Sequence, residues 1–128
     1  MLTELQLEIM RVLWERGEAT VPEVQRALAE ARAHTTVATL LTRLEDRGLV
    51  THRTERRQYV YRAAATEHEV RELAVSEFSH AAAPLYDGDM TAMVSHLLSV
   101  AQVGREDLAR LRELIRDLEE RSEGAADD

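Results

Sequence analysis

The hydrophobic pattern changes period once within a short stretch, and this change restricts the fold more than any other feature. From residue 34 to residue 47, apolar residues recur every three or four positions, as on one face of a helix. After Gly48, "LVTHRT" is rich in β-type residues and "QYVYRA" alternates between two faces. The polar stretch "ERR" joins them, so residues 49–63 are predicted to form a β-hairpin directly after a helix.

Two further helices are predicted before this point. Thr3 and Gln6 have capping-box spacing, as do Thr20 and Glu23, and Gly17 is a natural helix stop. Helix one is expected over residues 3–16, and helix two is expected to carry an apolar stripe of Val24, Ala27, Leu28 and Ala31. Three helices followed by a hairpin form the winged helix-turn-helix pattern, with the hairpin as the wing. We predict such a domain over residues 1–65, in a chain that is mainly α (α+β).

Residues 66–128 are predicted to form a helical domain with a frayed acidic tail, "SEGAADD". A helix is expected to open at Thr66, and Asp89 is expected to cap another. In the last helix, residues at coiled-coil-like spacing form a seam: Leu108, Leu111, Ile115 and Leu118. The seam could close a monomeric core. We favour a dimer interface, formed by the seam together with Met93 and Leu97, because the helices have little core of their own.

Positive charge is concentrated in one segment of an acidic chain. The formal net charge is -8, yet residues 34–62 hold six Arg against three acidic residues. The segments on either side are both net negative. The local excess favours contact with a polyanion at helix three and the hairpin, whereas the overall charge alone argues against it.

The polar side of helix three is predicted to contact DNA. Thr36, Thr39, Arg43 and Arg47 lie three or four positions apart, opposite the apolar stripe. Threonine is small enough for the helix to enter the major groove, and Arg reaches guanine edges or phosphates. In the hairpin, Arg53, Arg56 and Arg57, with His52, lie where a wing meets the DNA backbone.

Two other interpretations of these residues involve no contact with DNA. The helix face could simply be solvated, and the whole domain could be a winged-helix module that binds protein and never DNA. The presence of arginines on both helix three and the hairpin favours DNA. We expect Tyr59 and Tyr61 to pack the hairpin against helix one rather than to stack on bases.

Several function classes lack the residues they need. Cys is absent, which excludes disulfides and thiolate metal sites, and the five His are scattered, so no metal or cofactor is expected. No catalytic grouping and no glycine-rich phosphate loop is present, so the chain is not expected to be an enzyme. No apolar run approaches the roughly 20 residues that span a bilayer, and a signal-peptide pattern is missing, so a cytoplasmic location is expected.

Four segments, in order, resemble one family. They are "LTELQLEIMRVLWERGEATVPEVQRAL", "TTVATLLTRLEDRGLV", "LYDGDMTAMVSHLL" and "LARLRELI". Together they resemble the penicillinase-repressor family, the BlaI/MecI/CopY transcriptional regulators of bacteria. The resemblance implies a homodimeric repressor of resistance or stress genes that binds palindromic operators, typically with TACA/TGTA half-sites. It also implies that Thr35, Thr36, Thr39 and Arg43 lie in the DNA-reading helix and that Arg53, Arg56 and Arg57 lie in the wing.

The same resemblance implies how such a repressor is released. The family's usual inducing partner is a membrane-bound sensor metalloprotease, which leads to cleavage in the dimer module. Some members are cut between Asn and Phe in the helix that Asp89 is expected to cap here, the fifth of the chain. The matching pair in this sequence is His96-Leu97, a departure from that pattern. The copper-responsive branch uses a C-terminal Cys-x-Cys motif, and a chain without Cys cannot sense copper by that route.

Overall fold

The computed structural model describes residues 1–127 and confirms a mainly helical chain with a hairpin after the third helix. The elements, in chain order, are α1 (Glu4–Arg16), β1 (Ala19–Thr20), α2 (Val21–Ala27), α3 (His34–Asp46), β2 (Val50–Glu55), β3 (Gln58–Ala63), α4 (Glu67–Ala82), a 3-10 turn (Ala83–Tyr86), α5 (Met90–Val100) and α6 (Arg105–Asp127).

Both predicted capping boxes are present. The Thr3 hydroxyl accepts a hydrogen bond from the Gln6 backbone N–H at 3.2 Å, and the Gln6 side chain accepts one from the Thr3 N–H at 3.0 Å. Thr20 and Glu23 exchange the same two bonds at the start of α2. These bonds satisfy backbone donors that a helix start leaves unpaired, which fixes where both helices begin.

Helix α2 is shorter than its apolar pattern predicts. It ends at Ala27 because Leu28 adopts an extended backbone, φ -71° and ψ 146°, and this conformation accompanies burial of the Leu28 side chain. Ala31, expected on the apolar stripe, is exposed. The connection to α3 is held by side chains instead, since Glu8 accepts a hydrogen bond from the Ala29 N–H at 2.7 Å.

The hairpin of β2 and β3 belongs to a three-stranded antiparallel sheet, in the order β1-β3-β2. The two-residue strand β1 was not predicted, and it places Ala19 opposite Tyr61. The sheet and helices α1 to α3 enclose a core whose fully buried members include Ile9, Met10, Val24, Val37, Leu41 and Leu44. The Trp14 indole N–H donates to the Ala65 carbonyl at 2.9 Å and so ties α1 to the chain just after β3.

The chain divides into two compact units, the first being Met1–His80 and the second beginning at Ala81. The division falls at the end of α4, whereas our functional division into residues 1–65 and 66–128 falls before it and stays a prediction. Helix α4 buries Val70, while Leu73 and Phe78, expected on the same apolar face, remain 39% and 41% exposed. The predicted apolar face of α4 is therefore only partly covered within the described chain.

The second unit contains the 3-10 turn, α5 and α6. Asp89 caps α5 as predicted, by accepting a hydrogen bond from the Ala92 N–H at 3.0 Å. Helix α6 spans 23 residues and continues to Asp127. The fraying expected of "SEGAADD" stays a prediction. Asp128, the last residue of that tail, lies outside the described residues. Within residues 1–127, no helix is both long and apolar enough to cross a membrane.

Candidate nucleic-acid interface

The core fixes which side of α3 faces solvent. Val37, Leu41 and Leu44 are fully buried, so the opposite side must point outward. The residues exposed on that side line a shallow depression, and we call these four the reading face: Thr35, Thr36, Thr39 and Arg43. All four were expected in the DNA-reading helix, and the structure brings them together.

The side chains of the reading face are free to bind a partner. Over the described residues, neither its three threonines nor Arg43 forms a side-chain hydrogen bond or an ion pair. Thr42, which lies one position from Arg43, behaves differently, since its hydroxyl donates back to the Ala38 carbonyl at 3.0 Å. The reading face therefore offers three hydroxyls and one uncompensated positive charge.

The wing tip presents two more unpaired arginines. Glu55 and Gln58 pair across a two-residue turn, so the turn consists of Arg56 and Arg57 alone. Both have positive φ, 51° and 67°, which is the geometry of a type I′ turn and matches the twist of the flanking strands. Neither forms an ion pair with any side chain of residues 1–125, the part of the chain whose side chains the structure describes. The tip thus carries two exposed charges on a well-defined turn.

Arg53, predicted as a wing contact, is held by acids within the chain. Its guanidinium bonds to Glu18 at 3.1 Å and to Glu55 at 2.7 Å. The hydrogen bonds that Arg53 donates, first to Glu18 and then to Glu55, raise the pKa of Arg53. The bond to Glu18 also lowers the pKa of that carboxyl. Two carboxylates surround one guanidinium, so Arg53 gives this part of the surface no excess positive charge.

Arg47 and His52 are also engaged. Arg47 follows the end of α3 and pairs with Glu77 of α4 at 3.0 Å. The His52 Nδ1 contacts the Glu45 carboxylate, 2.6 Å from one of its oxygens. Sequence reasoning missed these partners. Nothing in a local pattern links Arg47 to a residue thirty positions away.

The two tyrosines of β3 differ. Tyr61 is buried in the core, as expected of a packing residue, and burial raises the pKa of its phenol. Tyr59 is 52% exposed, so the expectation that it packs the hairpin against helix one is wrong. Its ring stacks on His52, with the ring centroids 4.2 Å apart.

Four of the six predicted dimer residues have about half of their surface exposed. Leu97, Leu108, Ile115 and Leu118 are 41–54% exposed, and Leu111 is partly buried. Met93 differs, because it is already buried within the single chain and has little surface left for a partner. The pair His96-Leu97 lies inside α5, and the Tyr86 hydroxyl is 2.6 Å from His96 Nδ1. Among the side chains of residues 1–125, no three His, Asp or Glu are arranged to hold a metal ion.

A family model described as penicillinase repressor matches residues 2–117. The chain belongs to the penicillinase repressor family. A curated penicillinase repressor from Bacillus licheniformis is 25% identical over 118 residues, which cover 91% of this chain and 90% of that protein. A member of this family is a DNA-binding transcriptional repressor rather than an enzyme. This excludes the alternative of a winged-helix module that binds protein and never DNA.

Solved structures similar to this repressor include two of BlaI. The solution structure of the DNA-binding domain of the repressor BlaI is 28% identical, with a TM-score of 0.49, and the match covers 54% of this chain and 87% of that one. The solution structure of the Bacillus licheniformis BlaI monomeric form in complex with the blaP half-operator is also 28% identical, with a TM-score of 0.47 and the same coverage.

Proposed function

We propose that this repressor binds double-stranded operator DNA as a homodimer, with α3 in the major groove and the wing against the flanking backbone. The observation that carries the proposal is the reading face. It places three small hydroxyl side chains and the unpaired Arg43 on the outer side of a helix whose inner side is core. Small side chains let the helix backbone approach the base edges, and a free guanidinium can bond guanine with two hydrogen bonds.

The candidate contacts divide by chemistry. Arg43, with Thr35, Thr36 and Thr39, would read bases or adjacent phosphates. Arg56 and Arg57 would bind phosphates, because a wing tip with two unpaired charges suits a contact that carries little sequence information.

Contacts from Arg47, His52 and Arg53 remain predictions. Each of the three side chains pairs with a carboxylate of the same chain. Binding DNA would require each to exchange that carboxylate for a phosphate, so we expect them to contribute less than Arg43.

The exposed seam supports the dimer. Two copies that pack seam to seam, with Leu97 of α5, would cover apolar surface that one chain leaves exposed. A two-fold dimer reads a palindrome, with one half-site for each reading face. We therefore propose palindromic operators of the TACA/TGTA type that the family resemblance implies, in promoters of bacterial resistance or stress genes.

Induction by a membrane-bound sensor metalloprotease is a separate proposal, supported by the family resemblance. The pair His96-Leu97 lies within α5, and a protease needs an extended segment, so cleavage there would require α5 to unfold locally. We place the repressor in the cytoplasm, where its operator DNA is.

The experiment is a binding titration on a duplex that the protein itself selects from a random pool. Arg43→Ala should weaken binding to this duplex by about 1–3 kcal/mol, roughly 5- to 150-fold, with unchanged circular dichroism. Arg110→Ala removes the same charge from α6 and should bind normally. Unchanged affinity of the Arg43→Ala variant would remove α3 from the interface, and failure to select any duplex would reject the proposal.

A further inference from the structure

A groove separates α3 from the wing. One wall is a stripe of α3 that includes His34 and Thr42, and the other is the end of the wing, formed by Arg57, Gln58 and Tyr59. The first turn of α2, with Pro22, also lines it. The groove has a volume of about 360 Å³, and we call it the wing groove.

The wing groove adjoins the reading face. His34 directly precedes Thr35, and Thr42 directly precedes Arg43, so the stripe lies about 100° around the helix from the reading face. When a helix occupies the major groove, the sugar-phosphate backbones run along its two sides. A duplex held by the reading face therefore has one backbone strand at the mouth of the wing groove.

The chemistry of the lining suits an anion. None of the residues that line the groove is acidic, in a chain with 24 Asp and Glu. His34, Arg57, Gln58 and Tyr59 all have N–H or O–H groups to donate. None of these four side chains has a hydrogen-bond or ion-pair partner among the residues that the structure describes. Unpaired donors around an acid-free groove match the oxygens of a phosphodiester backbone.

Tyr59 is the best-positioned of these donors. Its ring is half exposed yet held in place by stacking on His52, with an angle of 29° between the ring planes. His52 is itself held by Glu45. A phenol fixed in this way loses little conformational freedom when its hydroxyl bonds a partner. The stack also accounts for a large aromatic side chain that the core does not cover.

We propose that the wing groove binds the DNA backbone strand that runs between α3 and the wing, with the Tyr59 hydroxyl and the His34 ring donating to phosphate oxygens. The inference rests on the proposed function and adds contacts outside both the reading face and the wing tip. It assigns to Tyr59 and His34 a role in binding every DNA sequence, because phosphates are common to all of them.

The test uses the full chain and the selected duplex. Tyr59→Phe keeps the stacked ring and removes only the hydroxyl, and it should weaken binding about tenfold, since a hydrogen bond to a charged group is lost. The salt dependence should not change, because a neutral side chain releases no counterion, whereas Arg57→Ala should lower the slope by about one. Tyr86→Phe is the matched control in the second unit and should bind normally. His34→Phe, which keeps an aromatic ring but has no N–H group to donate, should weaken binding as Tyr59→Phe does.

A phosphate scan then identifies the contact. In a series of duplexes, one phosphate at a time is replaced by a neutral methylphosphonate. At one position on the strand facing the wing groove, the replacement should weaken DNA binding by the original protein but hardly change DNA binding by the Tyr59→Phe variant. A hydroxyl with only a structural role would not produce such a position-specific coupling.

The outcomes separate the two proposals. If Arg43→Ala weakens binding while Tyr59→Phe binds like the original protein, the wing groove does not hold the backbone and the proposed function stands. The absence of coupling at every phosphate leads to the same conclusion. If neither substitution weakens binding, the proposed function fails and the wing groove proposal fails with it.

Discussion

Replacing Ile115 by Asp puts a carboxylate on the most exposed residue of the seam, 54% exposed in the single chain. We expect the variant to be monomeric with an intact winged-helix unit. The carboxylate would lie at an interface from which water is excluded, and an unpaired charge is costly to bury. The same substitution occurs twice in a two-fold dimer, so each loss is counted once for each chain.

The magnitude follows from the exposures. Leu97, Leu108, Ile115 and Leu118 each have about half of their surface uncovered. Full burial of such a side chain contributes about 2 kcal/mol, so completing the burial contributes about 1 kcal/mol each and about 8 kcal/mol over two chains. Losing Ile115 from both chains removes about 2 kcal/mol, and two buried charges oppose association by at least as much again. A total of about 4 kcal/mol raises the dimer dissociation constant roughly a thousandfold.

Sedimentation equilibrium measures this constant directly. Ala109→Asp adds the same charge to the side of α6 away from the seam and should remain dimeric. Binding to a two-half-site operator should fall more for Ile115→Asp than binding to one half-site, because linked readers gain affinity through effective concentration. If Ile115→Asp sediments as a dimer with full operator affinity, the seam is not the dimer interface.

Three further outcomes are expected. The double substitution Arg56→Ala and Arg57→Ala should weaken binding to selected and random duplexes alike and lower the salt dependence of the affinity by about two units of slope. A loss confined to the selected duplex would contradict a phosphate role. Glu18→Gln should strengthen DNA binding at low salt, because it removes a carboxylate beside the wing, and weaker binding would show that this carboxylate aids it. Glu23→Gln should reduce the pH dependence of the free energy of unfolding. The hydrogen bond from the Thr20 backbone N–H lowers the pKa of Glu23 below 4.5. The ionised carboxylate therefore stabilises the fold above that pH, and this stabilisation is lost as the pH falls. Identical acid unfolding curves would refute this.

The sequence predicts those parts of the fold that depend on neighbours along the chain. Thr3, Thr20 and Asp89 cap helices as predicted, because capping is decided within four residues. The reading face follows from helical spacing once the apolar stripe of α3 is assigned to the core. The end of α2 was not predictable in the same way, since Leu28 leaves the helix to fill the core.

What the sequence does not predict is which arginines are free. Arg43 and Arg53 look equivalent in the sequence, yet Arg53 is held by Glu18, 35 positions away. Such partners meet only after the chain has folded, and they change the electrostatic role of a residue without changing its type. The exposure of Tyr59 was not predictable either. Strand alternation assigns a residue to one face of the sheet but does not reveal how far the helices cover that face.

The wing tip places stability and function in opposition. At Arg56 and Arg57 the backbone adopts a left-handed conformation that Asn and Gly occupy far more easily than Arg. A tip redesigned as Asn-Gly would hold its turn with less strain, and the domain should then melt at a higher temperature while binding DNA less tightly. A search for thermostable variants would therefore tend to select against DNA binding at this turn, and a stability ranking alone would misjudge which residues the repressor needs.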